Sequence, residues 1–204
     1  MRIGLSRGPW VFGSYGNGGI RLVLIVASLD LLPRGREGAF VDMINKASDP
    51  ITSHPTPNTK LVISVAWEKP LNGWVKINSD SSVKNDSHSG GFGALVHDEN
   101  GCWVQGVYGH IFNPSILKAE AWGTREGLIL AKNLGFEQVI LETDSKGFLI
   151  KHCWREANRS ADYLANLGAG GHEAKVLMSH PTVELSLIIQ SDVMGIQLPR
   201  TVRV

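Results

Sequence analysis

Cysteine is almost missing from this chain. Cys102 and Cys153 are the two it has, and they lack metal-ligand spacing. That excludes both a thiolate metal cluster and a disulfide-stapled scaffold, so a reducing, intracellular compartment is expected. Long hydrophobic runs are missing too. A membrane helix needs roughly 20 apolar residues, whereas the nearest candidate, Ile20 to Leu32, is short, holds Arg21 and Asp30, and is followed by no small-residue cleavage site. No membrane association is therefore expected. An excess of one charge is also absent: 20 Lys and Arg stand against 19 Asp and Glu, a net charge of +1. Any affinity for a polyanion must come from local patches.

The 204 residues, 43% of them hydrophobic, suffice for one ordinary core with extensions. Residues 1–59 are rich in Gly, Ser and Pro and end in Ser53-His54-Pro55-Thr56-Pro57-Asn58, which reads as a linker. Arg2, Arg7 and Arg21, with no acid before Asp30, have the composition of an organelle transit peptide, but this extension stays unassigned. A domain starts near residue 60 and runs to 168, with a tail over 169–204.

Inside it, Val75, Ile77 and Ser79 alternate with Lys76, Asn78 and Asp80, the period of a strand. Two more apolar runs, Gly91 to His97 and Cys102 to His110, flank Asp98-Glu99-Asn100-Gly101, where Asn-Gly signals a two-residue hairpin. Ser115 caps a predicted helix to about Leu134, and Gly135 stops it. The segment Gln138-Val139-Ile140-Leu141-Glu142-Thr143-Asp144, a short apolar run after a helix, then reads as a strand buried on both faces and parallel to a neighbour. Asn158 or Ser160 can cap a last helix through Leu167, ended by the glycines from Gly168. Three antiparallel strands, a helix and a parallel strand predict an α/β domain with a mixed sheet packed by helices.

Four acids stand out: Asp80 in the first strand, Glu120 in the first helix, Asp144 at the end of the buried strand and Asp162 in the last helix. Each has a bland alternative, as a solvated strand end, a dipole-compensating first-turn acid, a cap or a surface charge. Glu120 shares a helical stripe with Thr124, Gly127 and Ala131, small residues suited to close packing on a sheet.

The set and its surroundings carry more than any one acid. Lys76-Ile77-Asn78-Ser79-Asp80, Gly90-Gly91-Phe92-Gly93-Ala94-Leu95-Val96, Lys118-Ala119-Glu120-Ala121-Trp122-Gly123, Glu142-Thr143-Asp144-Ser145 and Arg155-Glu156-Ala157-Asn158-Arg159-Ser160-Ala161-Asp162 occur in this order. In that order the chain resembles the plant ribonuclease H-like domains related to reverse transcriptases, from Trp67 through Arg200. The resemblance implies a ribonuclease H-like fold, with Asp80, Glu120, Asp144 and Asp162 as metal-binding carboxylates. It implies two Mg²⁺ or Mn²⁺ ions as cofactors and hydrolysis of the RNA strand of an RNA–DNA hybrid. RNA would be told from DNA through its 2′-hydroxyl, with contacts expected near Asp80 and at the backbone of Gly90 and Gly91.

Three departures from the family pattern bear on activity. Ser81 stands where a glycine usually follows the first Asp. No histidine lies between Cys153 and Asp162, so the proton-shuttle role goes unassigned, Arg155 and Glu156 being poor substitutes. Only Ser145 to Lys151, seven residues, separates the Asp144 strand from His152-Cys153-Trp154-Arg155. A crossover between parallel neighbours takes a dozen or more. The domain thus reads as internally truncated near 145–151, with that segment a short helix or loose and Asp162 held poorly near the other acids. The rival reading is a catalytically silent nucleic-acid-binding module or relic. An ATPase on a related sheet is disfavoured, because no glycine-rich phosphate loop follows the first strand. His152 and Trp154 read as packing residues.

Overall fold

The structure is a computed structural model that describes residues 11–14, 22–25, 60–84, 89–144 and 151–203. Strands β1 (Val11–Ser14), β2 (Leu22–Ile25) and β3 (Lys60–Val65) come first. They precede β4 (Val75–Lys84), β5 (Ser89–His97) and β6 (Trp103–Phe112). Helix α1 (Ile116–Asn133) leads to β7 (Val139–Thr143) and the two-residue β8 (Lys151–His152). A 3-10 turn (Arg155–Ala157) opens into α2 (Arg159–Gly170), followed by β9 (Val176–Met178), α3 (Val183–Val193) and β10 (Leu198–Arg203).

The main sheet is ordered β1-β2-β7-β4-β5-β6-β9, with β8 also on β7. β4, β5 and β6 form the expected antiparallel meander, and β7 lies parallel to β4. The fold class is thus a mixed α/β sheet packed by helices, consistent with a ribonuclease H-like fold. One core joins Ile77, Phe92, Ala94 and Val107 to Ala119, Leu128 and Ala131 of α1. A second, on Leu95, takes Ala161 and Leu164 of α2 with Leu185 and Ile189 of α3.

Local chemistry explains the element ends. The Ser115 hydroxyl accepts from the Lys118 N–H at 3.2 Å, and Gly135 adopts φ +78° just past α1. The β5–β6 connection differs from the two-residue hairpin expected of Asn100-Gly101. Only Gly101 has positive φ, and the loop from Asp98 to Cys102 is closed by Asp98 Oδ1, which accepts from the N–H groups of Asn100 (2.9 Å) and Cys102 (2.8 Å). The Asp side chain does the work of a backbone turn. α2 continues past Leu167 to Gly170, and its Gly168 lies against Gly109 of β6, where a Cβ would come within 2.3 Å of a backbone oxygen.

One expectation needs correcting. The seven residues 145–151 are too few for a full crossover to a parallel neighbour, yet Glu142 pairs with Lys151 and Thr143 with His152 in parallel register. A full crossover carries the chain back along a whole strand, whereas β8 begins level with Glu142 at the end of β7. The return is only about two residues, on the order of 7 Å. The rest of that edge, Ile140 and Leu141, pairs with Ile25 and Leu24 of β2. The expectation of a short helix or loose segment at 145–150 lies outside the described residues, as does most of the 1–59 extension. Among the described residues no helix is long and apolar enough to cross a membrane.

Candidate metal centre

β4 and β7 are in register from Val75↔Val139 to Ser79↔Thr143, so the next residues, Asp80 and Asp144, lie side by side. Parallel pairing and strand alternation put such neighbours on one face. Glu120 arrives from α1, which settles closely on β4 through two glycines. A Cβ at Gly123 would lie 2.8 Å from the Asp80 carbonyl oxygen, and one at Gly127 would lie 2.7 Å from Ile77. The predicted stripe of Glu120, Thr124, Gly127 and Ala131 is therefore the face that meets the sheet, and Thr124 Oγ1 contacts Ser79 Oγ at 3.4 Å.

Asp80, Glu120 and Asp144 each offer a carboxylate oxygen, all within 4.8 Å of one another. Asp80 is only 4% exposed. Burial, then the charges of Asp144 and Glu120, raise its pKa to about 9, against the Ser81 N–H donated to Oδ1 at 2.7 Å. Glu120 rises to about 7, through burial and Asp144, and is held back by a hydrogen bond from the Ser81 side chain. Ser81 thus bonds two of the three acids. The donors are all hard oxygens, and their burial and mutual repulsion are what a divalent cation relieves. The residues fit Mg²⁺ or Mn²⁺.

Asp162 stands apart from the three. Its Oδ1 accepts from Arg155 Nη2 at 2.7 Å and its Oδ2 from Asn166 Nδ2 at 3.1 Å, while Asn166 Oδ1 accepts from the Ser82 hydroxyl at 2.8 Å. It is still close enough for its charge to contribute, as the smallest influence, to the rise at Asp80.

Gly90 and Gly91, expected from the resemblance to offer backbone to nucleic acid, are positions of close packing. Both are buried, and a Cβ would strike Pro114 at 2.6 Å in one and the α2 backbone at Ala169 at 2.1 Å in the other. Gly91 lets α2 settle on the sheet, and Gly90 makes room for Pro114.

A polar network beneath the acids was not foreseen. The alternation in β4 suggests a half-solvated strand, but Lys76 and Asn78 are 1% exposed. Lys76 Nζ meets Glu142 Oε1 at 2.9 Å and donates to the Glu68 carbonyl. Trp67 Nε1 donates to Asn78 Oδ1 at 2.9 Å, and Asn78 Nδ2 donates to Asn158 Oδ1 at 3.1 Å and Glu142 Oε2 at 3.4 Å. Asn158 Nδ2 donates to the Ser79 carbonyl at 3.0 Å. Asn158 is the N-cap residue of α2, yet its side chain makes no cap bond and instead ties the helix to the strand that carries Asp80. The available signal was an unusual density of polar residues in a strand between two others; periodicity alone hid it.

Residues 78–149 match the family described as reverse transcriptase-like. That stretch contains Asp80, Glu120 and Asp144 and stops short of Asp162. Over 174 aligned positions the chain is 30% identical to a protein of Arabidopsis thaliana named "Putative ribonuclease H protein", covering 68% of this chain and 27% of that relative. The chain thus spans about a quarter of the relative's length. Because 68% of the chain is fewer than 174 residues, the relative has residues within the aligned stretch that this chain lacks. No solved structure gives a significant match.

Proposed function

We propose that the chain is a ribonuclease H-like protein of the plant reverse-transcriptase-like group, that it binds RNA–DNA hybrids, and that it hydrolyses their RNA strand at the acid cluster. The observation that carries this reading is the convergence of Asp80, Glu120 and Asp144, distant in sequence, to within 4.8 Å. These three would hold the divalent cations, with Asp162 completing the set. Bound cations would supply an activated water and neutralise charge on the phosphodiester.

The chain's own groups set the conditions. With its pKa raised to about 9, Asp80 keeps its proton near neutrality, while Glu120, at about 7, is about half protonated there; a bound cation would displace these protons. Ser81 orients both carboxylates through its N–H and hydroxyl. The buried Lys76, Glu142, Asn78 and Asn158 network fixes the two strand ends and the start of α2 relative to each other.

A second reading, nucleic-acid binding without hydrolysis, is favoured by one observation: both oxygens of Asp162 are engaged by Arg155 and Asn166 rather than turned to the cluster. A cleavage assay on an RNA–DNA hybrid with Mg²⁺ or Mn²⁺, with Asp80→Asn as control, decides. Hydrolysis above the control supports the nuclease; binding with none supports the silent module.

A further inference from the structure

Arg155 lies on the 3-10 turn just before α2, on the same side as the acids. Its Nη2 donates to Asp162 Oδ1 at 2.7 Å, and its side chain is 70% exposed. The guanidinium is held above its ordinary pKa by the hydrogen bond with Asp162 and that residue's charge, and the charges of Asp80 and Asp144 add to the effect. One cation therefore sits within electrostatic reach of three of the four carboxylates. Asn166 occupies the other Asp162 oxygen, backed by Ser82. The fourth carboxylate is neutralised from within the chain.

We propose that Arg155 is a built-in competitor of the second divalent cation: it holds Asp162 in an ion pair, so that the cluster takes one cation on Asp80, Glu120 and Asp144 and admits a second only as Arg155 swings away. This rests on the metal-centre reading given above. Arg155 is a positioning residue, since it acts through Asp162. Its exposure is what makes release feasible. An exposed pair is weakly held and an Arg side chain has free room to rotate, whereas a buried pair would lock the ligand. Once released, the guanidinium is a planar donor suited to a phosphate oxygen.

The test is calorimetric titration of the full chain with Mn²⁺, comparing wild type, Arg155→Ala, Arg155→Lys and Asp162→Asn. The wild type should show one stronger and one weaker step. Arg155→Ala should tighten the weaker step by about three- to tenfold, the size expected for removing one solvent-screened positive charge. Arg155→Lys should stay near wild type, and Asp162→Asn should lose the weaker step. Unchanged Mn²⁺ binding in Arg155→Ala overturns the inference and leaves the metal centre standing. No Mn²⁺ binding in any form overturns both.

Discussion

Asp80 concentrates the electrostatic problem of this protein in one side chain. Its folded pKa, about 9, is far above the ordinary carboxylate value of 3.8. Above about pH 4 the unfolded chain has released this proton while the folded chain keeps it, so without cations stability falls as pH rises through the folded pKa. Asp80→Asn should therefore be more stable than wild type at pH 8 in chelator, by roughly 1–3 kcal/mol, and the gap should vanish near pH 4. Urea denaturation at the two pH values measures it; an equal gap at both would refute the cause. Glu120 sets a second expectation. Because its pKa is about 7 and that of Asp80 about 9, Mn²⁺ affinity should climb with pH from about 6 to about 9, with proton release detectable by titration in buffers of different ionisation enthalpy.

Glycine placement governs how elements pack around the site. At Gly91 a Cβ would meet α2 backbone atoms at 2.1 Å, while at Gly135 nothing lies within 4 Å and only the φ of +78° resists a side chain. Gly91→Ala should cost about 2–4 kcal/mol by pushing α2 off the sheet, against about 1 kcal/mol for Gly135→Ala. Thermal denaturation of the two variants compares them, and equal losses would argue against the close helix–sheet contact. The Gly135 stop and the Ser115 cap were legible in sequence because they depend on neighbours along the chain. The role of Gly91 was not, because the clash that forbids a side chain there involves Ala165 and Ala169, which only folding brings near.

At the scale of the whole molecule, the tail returns to the site's foundation. β10 pairs antiparallel with β3 over Lys60 to Val65. Arg200 lies over the Trp154 ring at 4.2 Å and pairs with Glu156 at 2.7 Å, on the turn that carries Arg155. Arg200→Ala should destabilise the fold by about 1–2 kcal/mol, and Arg200→Lys by less, since it keeps the charge but loses the planar stack. Equilibrium unfolding measures both; a neutral Arg200→Ala would mean that the stack adds nothing. Trp154 is thus the packing residue the sequence suggested, in a contact whose partner lies far away in the chain.

The sequence by itself determined the mixed α/β class, the cap and the stop of the first helix and the parallel placement of Val139–Thr143, since each depends on local periodicity or a short-range motif, and its ordered motifs nominated four acids. Only the tertiary structure decided which acids meet. Register sets Asp80 beside Asp144, and Gly123 and Gly127 let Glu120 down onto them. Arg155 and Asn166 draw Asp162 aside. The physical reason is range: backbone preference acts over a few residues, whereas a carboxylate's partners are fixed by packing between segments many residues apart.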